Sequence, residues 1–258
     1  MHPLIAVLRL GERAVPIGSY GAMLTLAVLL GAALTLRAAG RAGLDPGAVI
    51  SALGSAVAGG FVGAWLLQLL VQWARLGSLQ AALARPGLVF FGAALGGAAA
   101  LTWSCRWLRL PALTLLDLAV PAVAVAHAVG RVGCLLGGCC FGAPGGGPLG
   151  VRYTHPLAPA TALGADLLRH PVQLYEAAGL LALSAYFASR PPAEPGSGRR
   201  ALRYVLAYSV LRLSVEPLRG DAVRGSLAGG LVSTSQLIAL VLLLLSAWAL
   251  RGRRRAAA

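Results

Sequence analysis

Tyr208, Arg212 and Glu216 recur at intervals of four residues within an apolar stretch, so a helix would stack all three along one face. A bilayer makes isolated charge costly, so such groups turn inward, find partners and mark working sites. Arg212 and Glu216 offset each other, and the phenol adds a donor for any anion they share. Arg219 and Asp221 follow at the end of the stretch. Two readings stay open here: an ion pair that only neutralises itself, or an anion site built from a tyrosine and two arginines. A second constellation runs from His127 through Gly130, Arg131, Gly133 and Cys134 to Cys139, Cys140 and Gly142. His127 and Arg131 are one helical turn apart, and the glycines let backbone approach a bulky ligand. A guanidinium matches a phosphate bidentately and stays charged at any depth. The three cysteines beside a histidine raise zinc. However, Cys-x4-Cys-Cys fits no common zinc spacing, and adjacent cysteines do not easily share one tetrahedral ion. Small buried packing residues or a disulfide are the other readings; no metal and no cofactor is expected. The third constellation is His170-Pro-Val-Gln-Leu-Tyr-Glu176. Pro171 suits a first helical turn, which brings Gln173 and Glu176 round at i, i+3. Glu176 either caps a backbone N–H or holds Arg131 or Arg212. His170 is either an interfacial histidine or an acid/base group.

The elements that must position these groups are membrane helices. Of 258 residues, 58% are hydrophobic and only 12% charged, with a mean hydropathy of +0.77. Soluble chains carry about a quarter charged residues, so a soluble cytosolic enzyme, a secreted mini-protein and a disordered tail are excluded. The net charge of +14 comes from 22 basic residues, every one an arginine. They flank apolar runs, as membrane flank charges do, and aromatics are too few for nucleic-acid binding. Nothing is charged over 14–36, 46–74, 86–105 or 225–250. Each run is long enough to cross a hydrocarbon core of about 30 Å. Weaker candidates at about 111–130, 172–189 and 202–218 carry Asp117, His127, Glu176, Arg212 and Glu216. The expectation is an all-α integral membrane protein, a single membrane domain over 1–258 with about seven transmembrane helices. Placing the N-terminus out and the C-terminus in puts twelve arginines inside against nine outside. That balance rests on the Pro191–Arg203 loop and the arginines at 251 and 253–255. The first apolar run is read as no ordinary signal peptide, since it is too long, its basic flank at Arg37 and Arg41 follows it, and further spans come after. The long Gly- and Pro-rich connection at about 131–171 lies outside, where a loop of that length is usually functional. Gly54, Gly59, Gly60, Gly63, Gly92, Gly96 and Gly97 fall inside spans and are read as close helix packing.

In order and spacing, these segments resemble the prolipoprotein diacylglyceryl transferase family. The likeness begins at Ser19-Tyr20-Gly21, Gly43-Leu44-Asp45 and Pro86-Gly-Leu-Val-Phe90. It continues through Gly130-Arg131-Val132-Gly133, Leu149-Gly-Val151 and His170–Glu176, and ends at Tyr208…Asp221 and Ser235-Gln236, covering nearly the whole chain. The resemblance implies a multi-pass protein of the bacterial cytoplasmic (inner) membrane with a periplasmic N-terminus. It implies transfer of the diacylglyceryl group of phosphatidylglycerol to the lipobox cysteine thiol of lipoprotein precursors, giving a thioether and glycerol phosphate. Its partners would be phosphatidylglycerol, lipobox-bearing signal peptides and membrane lipid, with no nucleic acid. The family's important positions fall on Tyr20, Arg131, Gly142, Tyr208, Arg212 and Glu216. The expected catalytic set is Arg131, Arg212, Tyr208, Glu216 and His170. Tyr20, Gly142, Gln173, Tyr175, Glu176 and Arg219 are expected to bind substrate. Four positions depart from the family pattern. Phe91 stands where the family typically has His or Tyr, Trp65 follows Gly63-Ala64 in place of Arg, Cys134 replaces Asn, and Cys139 replaces an acidic residue. With Phe91, the proton must go to His127, His170, Tyr208 or the lipid phosphate. The alternative is a non-catalytic lipid-binding or assembly paralogue on the same scaffold; an anion transporter is a weaker third idea.

Overall fold

The computed structural model describes residues 2–10, 13–85, 87, 89–190, 196–221, 226–227 and 232–255. Pro86 and Leu88, residues 191–195 of the basic loop, and residues 225 and 228–231 at the start of the last expected span lie outside the described residues. Helices dominate: α1 (Ser19–Arg41), α2 (Pro46–Leu76), a short α3 (Leu79–Leu83), α4 (Phe90–Trp107), α5 (Ala112–Gly137), α6 (Val172–Ala188), α7 (Arg199–Val215) and α8 (Thr234–Arg255). Among the described residues four are long and apolar enough to cross a membrane: α1, α2, α5 and the Thr234–Gly252 part of α8. Apolar side chains stay on the protein surface, Leu29 and Phe61 in the first two and Leu244 and Trp248 in the last, where water would be a poor solvent for them. This is a helical integral membrane protein.

Two hairpins were not expected of an all-α chain. Strands β1 (Leu4–Leu10) and β2 (Arg13–Gly18) pair antiparallel, and β3 (Ser226–Leu227) pairs with β4 (Val232–Ser233). Absence of charge marked 14–36 as apolar but could not tell strand from helix. Val15 and Ile17 suit a strand and Pro16 resists a helix interior, so α1 begins only at Ser19. Midway along the chain α5 runs on to Gly137, so Arg131 is helical and the long connection is 138–171. Pro217 lacks the N–H a continuing helix needs. Accordingly α7 stops at Val215 and Glu216 opens a 3-10 turn.

The chain divides into two compact units, one of residues 1–31, 119–193 and 198–258, the other of 32–118 and 194–197. The second unit is built on α2 and α4. Asp45 caps α2 by accepting from Ala48 N at 2.7 Å, Pro46 fills its first turn, and Gly77 closes it in the left-handed region. Glycines then let the two helices meet backbone to backbone. A Cβ on Gly63 would lie 2.3 Å from the Gly92 oxygen, and one on Gly96 the same distance from the Gly59 oxygen. The packing reading of these glycines therefore holds. Gly63→Ala is expected to cost about 1–3 kcal/mol through overpacking, read as an earlier thermal transition in detergent. Gly54→Ala is the neutral control, since a Cβ there meets nothing within 4 Å. Cys105 lies in the core of this unit with Ala39, Val49, Ala52 and Leu115. Phe91 stands in the first turn of α4 beside Phe90.

In the first unit α6 packs on α7, with Leu180 and Ala177 against Tyr204, Tyr208 and Leu211. The 138–171 connection is ordered by its own small core of Phe141, Tyr153, Ala158 and Ala160. Isolated bridges tie Pro144 and Val151 to Arg169, and Gly142 to Arg219. Arg169 is buried, its guanidinium over the Phe141 ring and donating to the Leu163 oxygen at 2.7 Å.

Candidate active site

Within the first unit the charged groups of α5, α6 and α7 converge on one carboxylate. Glu176 is buried on the first turns of α6. Its Oε1 accepts from Arg131 at 2.9 Å and from the Tyr208 hydroxyl at 2.9 Å, with His127 Nε2 3.8 Å away. Its Oε2 faces Arg212 at 3.4 Å. Of the roles the sequence left open for Glu176, the structure takes the ionic one, and with both arginines rather than either. Arg212 also pairs with Glu216 at 2.6 Å, the i, i+4 partner that the spacing implied. The His127 ring lies against Tyr208, centroids 5.0 Å apart, and Tyr204 stacks on the other side of that phenol.

Removing two guanidiniums and two carboxylates from water costs several kcal/mol per ion, so the arrangement persists only if the partners are nearly complete. Glu216 meets this requirement through Ser233 as well as Arg212. Ser233 donates to Glu216 Oε1 at 2.5 Å and accepts from Gln236 N, while Gln236 Oε1 accepts from Ser233 N. This is a capping box on α8. Sequence reasoning passed over Ser233, although Ser-x-x-Gln before an apolar run was a readable helix-start signal. Among the groups on this carboxylate, Arg131 Nε is a buried donor without a hydrogen-bond acceptor among the described residues. One N–H of the guanidinium that Glu176 holds is thus left without a protein acceptor.

The remaining expected residues form a second layer around the 138–142 turn. Gln173 is buried and donates to the Cys139 carbonyl at 2.7 Å and to the Tyr153 hydroxyl at 3.0 Å. It is thus a strut holding a loop. Burial pushes the Tyr153 phenol above its ordinary range despite the Gln173 hydrogen bond, so it stays neutral. Gly142 sits where no side chain fits: a Cβ would lie 2.3 Å from the His170 oxygen and 2.9 Å from that of Leu218. Through its backbone, Gly142 donates to His170 O while Gly220 donates to Phe141 O. Arg219 grips Asp221 with two hydrogen bonds, 3.0 and 2.9 Å. Burial opposes its charge, but the paired carboxylate outweighs burial and raises its pKa. His170 is not on the Glu176 cluster: its Nδ1 lies 3.4 Å from the Tyr175 hydroxyl. Tyr20 lies in the first turn of α1, against the α5 glycines 133 and 137.

Cys134, Cys139 and Cys140 are free thiols in this structure rather than a disulfide, with Cys134 buried and the other two part-exposed. Their sulfurs lie within 4.8 Å of one another. Hydrogen bonds from Cys134 and Cys139, then the nearby Arg219 and Arg131, push Cys140 well below the ordinary thiol range. Cys139 is pushed up by its bonds to Cys134 and Cys140.

The site thus gathers two guanidiniums, a phenol and an imidazole around one buried carboxylate, groups chemically able to meet an anion and to take up a proton. The family model described as prolipoprotein diacylglyceryl transferase matches residues 7–251. The phosphatidylglycerol–prolipoprotein diacylglyceryl transferase of Clostridium tetani is 35% identical over 226 residues, covering 86% of this chain and 87% of that protein. A protein named phosphatidylglycerol–prolipoprotein diacylglyceryl transferase 2, from Clostridium perfringens, is 32% identical over 230 residues, covering 88% and 87%. The transferase of that name from Dehalococcoides mccartyi is 33% identical over 230 residues, covering 88% and 85%.

Proposed function

This chain belongs to the prolipoprotein diacylglyceryl transferase family, and we propose that Arg131 and Arg212 grip the phosphate of phosphatidylglycerol while a lipobox thiol displaces it. The protein is a membrane transferase of lipoprotein biosynthesis, moving the diacylglyceryl group onto the cysteine of a lipoprotein precursor. In this reaction the carbon–oxygen bond to the phosphate breaks, a carbon–sulfur bond forms, and glycerol phosphate leaves with the electron pair. The thiol must lose its proton first, because the thiolate is the nucleophile.

The observation that carries this reading is the shared carboxylate: Glu176 holds both guanidiniums within 3.4 Å. Negative charge grows on the departing phosphate, and cations fixed in advance in a water-poor site stabilise it without reorganising. Arg131 offers its unpaired Nε to that oxygen. Glu216 and Glu176 position the arginines, Tyr208 donates into the site, and Tyr20 and Arg219 line the head-group side. His127, on the cluster itself, takes the thiol proton, since Phe91 has no group that can. His170 and Tyr175 act as a hydrogen-bonded pair beside the 142–145 turn, and Gly142 and Gln173 keep that turn in place.

The bundle is read as seven spans, α1, α2, α4, α5, α6, α7 and α8, in the bacterial inner membrane, with the N-terminus periplasmic and the C-terminus cytoplasmic. Helices of 17–18 residues such as α4, α6 and α7 span about 26 Å at 1.5 Å per residue, enough where the bilayer thins around them. Transfer of labelled diacylglycerol from phosphatidylglycerol vesicles to a lipobox peptide tests the reading. The native chain is expected to lipidate the peptide and Arg131→Ala to be inert. If both are equally inert, the non-catalytic alternative takes its place.

A further inference from the structure

Cys134, Cys139 and Cys140 carry chemistry that the transfer reaction does not use, on a turn whose shape is fixed from outside. Gly138 leaves α5 in the left-handed region, and Cys139 N returns to Cys134 O at 3.1 Å. Cys140 then adopts φ 56°, a region that residues with side chains rarely enter. Such a conformation persists only where its surroundings impose it, and here they do. Gln173 holds the Cys139 carbonyl, Ala160 N the Gly138 carbonyl, and Phe141 is buried in the loop core. As a result two consecutive cysteines and a third from the last turn of α5 bring their sulfurs within 4.8 Å of one another.

We propose that Cys134, Cys139 and Cys140 form a three-coordinate thiolate site for a soft monovalent metal ion, Cu(I). Sulfur donors select soft ions. The donor number selects among those ions: no histidine or carboxylate joins the three thiols among the described residues, whereas structural zinc takes four protein ligands. A trigonal ion with metal–sulfur bonds of about 2.3 Å needs sulfurs about 4 Å apart, within small side-chain adjustments of what is present. Binding replaces three S–H protons with one Cu(I), leaving two net negative charges on the complex. Arg219 and Arg131, both of which act on Cys140, oppose that charge. Cys139 and Cys140 are part-exposed and give the ion a way in, while Cys134 is buried behind them. The proposal is independent of the transfer reading, and its test reads metal rather than lipidation.

The full chain, purified in detergent and reduced under anaerobic conditions, is titrated with Cu(I) against a chromogenic Cu(I) chelator. One Cu(I) per chain is expected to withstand the chelator, with three sulfur neighbours in the X-ray absorption spectrum. Cys139→Ser and Cys140→Ser are each expected to release the ion, whereas Cys105→Ser, in the core of the other unit, retains it. Should Cys140→Ser lose its thermal transition, Cys134→Ala serves instead, because it leaves the backbone bonds of the turn in place. Equal Cu(I) retention by these variants and the native chain overturns the site. So does a two-sulfur spectrum, or thiol trapping in cells that finds two of the three cysteines joined as a disulfide.

Discussion

Glu176→Gln is expected to be the most damaging single substitution in the first unit, costing about 3–5 kcal/mol of stability and abolishing transfer. The replacement keeps the size of the side chain and an oxygen that can still accept from Tyr208. It removes the one negative charge shared by Arg131 and Arg212. Arg212 would retain Glu216, but Arg131 has no second carboxylate within salt-bridge range among the described residues. A buried guanidinium without a counter-charge costs far more than the intact pair contributes. Glu216→Gln should be milder, because its amide oxygen can still accept from Arg212 while its amide nitrogen donates to the Ser233 hydroxyl, and Arg212 keeps Glu176. The comparison is made by thermal unfolding in detergent, followed by transfer of labelled lipid at a temperature where all variants remain folded. Equal transitions for the native chain, Glu176→Gln and Glu216→Gln would show that Glu176 does not organise the cluster.

The helices and much of this cluster were legible because membranes make charge expensive. A carboxylate or guanidinium inside an apolar run has few fates, so Glu176, Arg212 and Glu216 stood out by their rarity alone, and i, i+4 spacing gave the Arg212–Glu216 pair. Which arginine Glu176 would meet was not legible. That depends on how α5, α6 and α7 pack, and both arginines proved to share it. The N-terminal hairpin escaped because hydropathy measures burial in lipid without distinguishing backbone geometry; Val15, Pro16 and Ile17 carried the missing signal. The end of α5 escaped for a related reason. The connection was drawn from about 131, which put Gly133 in a loop, yet a Cβ there would lie 2.8 Å from Met23 Cβ, so that glycine serves close helix packing. That Gln173, expected to touch substrate, also braces the cysteine turn was not legible, because polar residue type does not name the carbonyl it will meet. The cysteines themselves were discounted on spacing. The left-handed Cys140 brings neighbouring side chains together in a way that linear spacing does not reveal.

Arg131→Lys and Arg212→Lys separate gripping a phosphate from holding the protein together, although each keeps its positive charge. Arg212 is buried between two carboxylates that it meets with different nitrogens, Nη1 toward Glu176 and Nη2 toward Glu216. A single ammonium cannot reproduce that fork, so Arg212→Lys is expected to lower the thermal transition as well as the rate. Arg131 uses one nitrogen on Glu176 and leaves Nε without a protein acceptor. Lysine can keep the carboxylate contact, so the fold should survive with little change. On the proposed mechanism, however, the Nε donor to the departing phosphate is lost. Removing one fixed donor to developing negative charge costs about 10²–10³-fold in turnover, and Arg131→Lys should fall in that range with phosphatidylglycerol affinity largely kept. The decisive measurement is turnover at saturating lipid, set beside the thermal transition for each variant. If Arg131→Lys turns over at the native rate, the Nε donor of Arg131 does not bear on the phosphate, and Arg212 alone must stabilise the leaving group.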